Sequence, residues 1–438
     1  MNTATKQING GAQLPGVARL SGFAAIAGGL GLLHAAMLVY DLAHPDRFLN
    51  ADRAASRLQV IEGLAETWRG GGDVAAYVAG HGIVGDWLPH ALLYLGGGAA
   101  LVIAVQVLLA LASVVWAREI GARVGLDARH ANLAALAYGL LPHTLVFPHQ
   151  LSTEALFVPL VVLSFVLLLR AASPAGHAQA GAAIGIATVV RPITMLWPVL
   201  QACLARHVAA KARLAYLAAA LAPLLLWMTF VYVETGAFSM GPSKHDLGHN
   251  LHQRVQRMAP GLPAAERFGE RADPRIGVAD YLGFVAAHPA LAAAHSARDL
   301  MALGVKSGVE RIVLDYLDLY PDERRGLQDP NAGWRKNAER GGPLAALRAI
   351  AGEHPFLFIA SAAGALLFVA LMALAAVGAV VLGRAGKFML AGYVLYVIVT
   401  AQAVDAAQSR HRAPAEFALC VLAAAGAAWL RKKGTHGR

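Results

Sequence analysis

The chain has 438 residues, 57% hydrophobic and only 15% charged, with a formal net charge of +10 and a mean hydropathy of +0.52. A soluble protein carries about a quarter charged residues. The composition therefore excludes an ordinary soluble globule and predicts an all-α, polytopic membrane protein.

Stretches suited to crossing a bilayer core, which takes roughly 20 apolar residues, fall in order at 20–40, 97–117, 131–147, 155–169, 181–190, 193–204, 214–233, 355–382, 388–404 and 415–430. About ten spans are expected, uncertain by one or two around Arg191, where two short stretches read as a broken or re-entrant hairpin. Irregular backbone at that depth survives only where protein or a wet cavity satisfies it. The first span lacks a small-x-small cleavage site and has further spans behind it, so it is expected to remain as a signal anchor. Its glycines, in GGLGLL, need mean only close helix packing.

Lys and Arg set the orientation. With the N-terminus inside, the cytoplasmic loops receive Arg19, Arg118, Arg123, Arg129, Arg170, Lys211, Arg213 and Lys387, and the C-terminal tail 431–438 receives Arg431, Lys432 and Lys433. The positive charge is thus topology, and no nucleic-acid partner is expected. The single membrane domain, 1–430, then carries two extracytoplasmic elaborations, 41–92 and 234–354. Cys203 and Cys420 predict neither a disulfide nor a metal site.

The first elaboration opens with AHPDRFLNADRAASRLQVIEGL, starting at Ala43. Leu58, Ile61, Ala65 and Trp68 recur at helical spacing among charged residues, the pattern of a helix lying in the membrane interface. Asn50 is its expected N-cap, which places Asp52 in the first turn, where the helix dipole favours a carboxylate. Asp46 and Asp41 are nearby alternates. The second elaboration is polar, mixed in charge, and expected to form short helices against the membrane face.

Cations gather on the same face against the positive-inside pattern: Arg191 before Pro192, and Arg410, His411 and Arg412 before Pro414. The plain alternative for each arginine is interfacial snorkelling. Glu154 follows Ser152 and Thr153, so it either begins a helix as a capping acid or lines the site. His143 and His149 read as structural or polar lining in preference to a metal pair. In KHDLGHNLHQR, which includes Asn250, a solvated loop comes first, substrate contact second and metal last.

In sequence order, GDWLPHALLYL, VQVLLALASVVWAREIGARVG, LLPHTLVFPHQLSTEALFVPLVVLSFVLLLR, AGAAIGIATVVRPITMLWPVL, WMTFVYVETGAFSM and QSRHRAPAEFALCVLAA resemble the GT-C superfamily of membrane glycosyltransferases. The likeness is to the bacterial dolichyl-phosphate-mannose-protein mannosyltransferase and aminoarabinose transferase group. It runs from Leu20 to Leu430 and fails in the loop after Met240. It implies transfer of a sugar from a polyprenyl-phosphate donor to a lipid, glycan or protein acceptor on the extracytoplasmic face of the inner (plasma) membrane, with inversion. The family's acid follows the first span, usually as an Asp-Glu pair. Asp52 takes that position here, with Arg53 in place of Glu, which weakens any case for a divalent metal; no cofactor is expected.

The residue types fit that chemistry. A phosphate leaving group needs no general acid, but the acceptor needs a base, which one carboxylate supplies. The departing phosphate needs preorganised positive charge, for which Arg191, Arg410, Arg412 and His411 are the candidates. Glu154, His149 and Asn250 are candidate lining residues. Two other classes stay open: a transporter or flippase for a lipid-linked sugar, which would show inverted repeats and midplane charges, and an O-antigen-ligase-like polymerase working through Arg and His of the large loop.

Overall fold

The computed structural model describes residues 17–49, 54–81, 84–205, 208–240, 247–259, 277–317, 348, 351–352, 354–383, 386–401 and 409–436. Regular structure among them is helical throughout. Five helices are long and apolar enough to cross a membrane: Gly22–Ala43, Val84–Arg123, Ala210–Thr235, Pro355–Val381 and Arg410–Thr435. The helical class and a membrane setting agree with the sequence. A full set of ten spans does not follow from these five.

The first helix, α1 (Val17–Ala43), leads into a 3-10 turn over Pro45–Leu49 and then α2 (Ala54–Arg69), α3 (Val74–Gly80) and α4 (Val84–Arg123). Helix α2 forms where the spacing predicts one, with Ile61, Leu64 and Ala65 buried, while Trp68, expected on the same face, is exposed. Helix α4 is two helices joined at a kink. Gly98 sits there at φ 65°, ψ −165°, a backbone conformation essentially reserved for glycine. The span expected from Gly97 therefore has a separate helix, 84–96, ahead of it.

The next expected span, 131–147, is divided as well. Helix α5 (Ala128–Gly139) stops ahead of Pro142, and the chain continues as α6 (Pro142–Val146), a 3-10 turn over Phe147–His149 and a bend before α7 (Glu154–Arg170). The residue before a proline is pushed out of helical conformation, so Leu141 is extended at φ −64°, ψ 138°.

Helix α8 (Pro174–Val190) starts seven residues earlier than expected, because Ser173 caps it and Pro174 occupies its first turn. It ends at Arg191, which Pro192 holds extended at φ −145°, ψ 120°. Helices α9 (Trp197–Leu204) and α10 (Ala210–Thr235) follow. Gly181 and Gly185 let α8 lie directly on α10: a Cβ on either would meet the Tyr216 or Ala220 carbonyl within 2.4 Å. Small residues at such spacing are the usual means of close helix packing in lipid.

The second elaboration does form short helices, α11 (Leu247–Met258), α12 (Val278–Ala287), α13 (Pro289–Val305) and α14 (Val309–Tyr316). Helices α13 and α14 pack on α15 (Pro355–Val381). The Tyr316 ring of α14 lies 5.8 Å from that of Tyr40 near the end of α1, so both elaborations cover the same end of the bundle. A π turn (Lys387–Ala391), α16 (Gly392–Ala401), a 3-10 turn over Ser409–Ala415 and α17 (Glu416–His436) complete the chain. The core includes Phe165, Trp197, Tyr393 and Phe417.

A candidate site around the buried segment 142–154

The link between α5 and α7 is the hub of the polar structure. Every residue from Pro142 to Glu154 is buried, so its backbone groups need partners from other elements. Leu151 N–H donates to Phe48 O at 2.9 Å, and Arg57 donates to Leu151 O at 3.1 Å. The Gln106 amide donates to Pro148 O at 2.9 Å and Gln150 O at 3.0 Å and accepts from His90 Nε2 at 2.8 Å. A Cβ on Gly85 would sit 2.5 Å from Val189 O; that close approach brings the start of α4 against the end of α8, next to Arg191.

Glu154, the first residue of α7, accepts from Ser152 Oγ at 2.8 Å and from Thr153 Oγ1 at 3.2 Å. Arg191 donates from Nη1 to its other oxygen, and the positive charges of Arg410 and Arg57 also act on the carboxylate. Arg57 is itself paired with Asp86 at 3.1 Å. The sequence-predicted Arg191, Arg410 and Glu154 thus come together. Arg191 spends one Nη on Glu154 and keeps 24% of its side chain exposed.

Arg412 is placed differently. Its Nε donates to Glu416 at 3.1 Å, Nη1 to Leu303 O at 2.5 Å and Nη2 to Ser307 O at 3.2 Å. The guanidinium lies 3.6 Å from the centre of the Phe368 ring. Each of its three nitrogens donates to the protein, so Arg412 ties α13 and the following loop to α17. Glu416 also accepts from His143 Nδ1 at 2.7 Å. A small cavity of about 20 Å³ lies between Glu154 and Glu416, with Ser113, Tyr138, His143 and Thr144 on its walls.

His149 is fully buried. Its Nδ1 meets Asp41 at 2.6 Å and its Nε2 meets His34 Nδ1 at 2.9 Å, all three side chains being buried. Asp46 is exposed on the 3-10 turn that Phe48 ties to Leu151. His411 is buried. Asp52 and its expected cap Asn50 lie outside the described residues; Asn250 falls on α11 with its side chain outside them.

Sequence reasoning missed His34, Arg57, Asp86, His90 and Gln106. Polar or ionisable residues inside apolar helices are costly and mark functional interiors, and that rule alone would have flagged His34, His90 and Gln106. Nothing local signals that Glu416 pairs with His143. Comparison of the chain with protein-family models, curated proteins and solved structures gives no match.

Proposed function

We propose that this chain is an integral membrane glycosyltransferase of GT-C-like topology, moving a sugar from polyprenyl phosphate to a lipid, glycan or protein acceptor. The observation that carries the reading is the half-open Arg191, held in place by Glu154 with the charges of Arg410 and Arg57 close by. A planar guanidinium with one nitrogen bonded among the described residues is suited to an oxygen-rich dianion. Such an anion, buried under helices of both elaborations, is what a polyprenyl-phosphate donor would bring from the lipid.

In this reading α7 and α8, at 17 residues each and so about 25 Å long, also cross most of the membrane, and the total approaches ten spans. Their facing ends, Glu154 and Arg191, then sit just below the extracytoplasmic surface of the inner membrane, with both chain termini in the cytoplasm. The base comes from the acidic stretch after α1. Asp52 is the choice by sequence pattern, Asp46 is the described acid exposed to an acceptor, and Asp41 is withdrawn against His149.

The test is transfer by purified protein in nanodiscs, using polyprenyl-phosphate sugars from a membrane lipid extract. Asp52→Asn, Asp46→Asn and Asp41→Asn are compared; loss of the base should cost at least about a hundredfold. Retention of full activity by all three folded variants would remove the carboxylate-base mechanism and favour a polymerase working through the large loop.

A further inference from the structure

Asp41, His149 and His34 form a row that the phosphate site does not use. A simple clip between α1 and the 142–154 segment would need one hydrogen bond. Here three titratable side chains are joined in series, Asp41 Oδ2 to His149 Nδ1 at 2.6 Å and His149 Nε2 to His34 Nδ1 at 2.9 Å. The imidazoles of His149 and His34 stack with centroids 5.2 Å apart. His34 lies seven residues before Asp41 on α1, so the row reaches about 10 Å along that helix into its apolar part. Asp41 Oδ1 is buried with no hydrogen-bond partner. Buried polar atoms are almost always paired, and one that is not asks for a role.

We infer that Asp41, His149 and His34 form a proton store for the transfer site, with Asp41 Oδ1 as its port. The inference rests on the transferase reading for its purpose, though not for its existence. In the resting row the Asp41 carboxylate accepts from His149 Nδ1–H, and His149 Nε2 accepts from His34 Nδ1–H. A proton released by the acceptor and passed to Oδ1 converts the carboxylate to its neutral acid. Entry from the other end, at His34 Nε2, moves each Nδ1 proton one place and neutralises Asp41 at Oδ2. Either route takes in one proton, removes one negative charge and reverses along the same bonds.

Several charged or titratable groups stand around the row. Arg47 lies over the Tyr40 ring at 4.5 Å and His44 binds Tyr40 O. Arg311 lies over Phe147 at 5.8 Å, Arg57 binds Leu151 O, and Tyr316 faces His149 edge-on at 6.2 Å.

The test needs no activity. Infrared titration of ¹³C-aspartate-labelled protein in nanodiscs follows the Asp41 carboxylic-acid band, assigned by Asp41→Asn, while ¹⁵N-histidine NMR follows both imidazoles. The store predicts one shared proton step, and it predicts that His34→Gln, which does not touch Asp41, moves the Asp41 step. An Asp41 that titrates alone and ignores His34→Gln would reduce the row to a clip. Under the transferase reading, His149→Gln and His34→Gln should also lower kcat by about tenfold or more, less than the roughly hundredfold loss of the base itself. They should shift the acid limb of the pH profile and leave donor KM unchanged. A wild-type protein that transfers no sugar would refute the transferase reading, while the infrared step would still decide the row.

Discussion

Two glutamate–arginine pairs border one small cavity, and they have been built for opposite ends. Around Glu416 all three nitrogens of Arg412 donate, to a carboxylate and two backbone carbonyls, and its side chain is 3% exposed. Around Glu154 the arginine makes one hydrogen bond among the described residues and stays 24% exposed. Charge identity is the same in both; what differs is how many donors remain. A saturated arginine in an apolar bundle fixes the fold, whereas a half-used one can still bind.

The comparison breaks most sharply at the closed pair. Removing one partner of a buried ion pair strands the other charge and typically costs about 3–5 kcal/mol. Glu416→Ala or Arg412→Ala should therefore abolish stable purification or lower the unfolding temperature steeply in detergent. Unfolding at the wild-type temperature would show that the pair does not organise the mouth.

At the open pair the order of effects should reverse. Arg191→Ala should lose transfer and donor binding by an order of magnitude or more, and its unfolding temperature should fall less than that of Arg412→Ala, because Glu154 keeps Ser152, Thr153 and the charges of Arg57 and Arg410. Arg191→Lys should recover little, because lysine keeps the charge and loses the two-pronged geometry. Donor affinity unchanged in Arg191→Ala would return this arginine to the role of an interfacial anchor.

The far end of the bundle gives the scale of a surface cluster. Glu119 accepts from Arg123 and Arg170, each Nε at 2.7 Å, with much of both arginines exposed. Exposed pairs contribute about 0–1 kcal/mol, so Glu119→Gln should change stability slightly and transfer not at all.

An effect of similar size concerns Asp127, which caps α5. Burial pushes its carboxyl upward, but the backbone N–H and imidazole of His130 outweigh it and hold the group below its ordinary value. A lowered value means the contribution is fully present above the unfolded-state pKa and is lost as pH falls through the folded one. Asp127→Ala should cost about 1 kcal/mol at neutral pH, as for other lost caps. That difference should fade as the buffer drops below about pH 4.

Helix positions were legible in the sequence because apolar runs and proline punctuation are local. Arg191 was placed correctly since Pro192 must end the helix there, and α2 followed from its periodic Ile61 and Ala65. The breaks at Gly97–Gly98 and Leu140–Leu141 were not, because a continuous apolar run hides a kink that only backbone geometry reveals. In the site, convergence of Arg191 with Glu154 followed from topology, yet the roles of Arg412 and His149 did not. Their partners, Leu303 and Ser307 in one case and Asp41 and His34 in the other, are more than a hundred residues away. No spacing rule reports contacts at that separation.

The central claim is that a polyprenyl-phosphate sugar is consumed at Arg191. Mass spectrometry of lipids after incubation of wild-type and Arg191→Ala protein in nanodiscs with polyprenyl-phosphate sugars and membrane acceptors tests it directly. The account predicts conversion of sugar-bearing lipid to free polyprenyl phosphate by the wild type and little or none by the variant. Untouched donor lipid with folded wild-type protein, or equal conversion by both proteins, would contradict it.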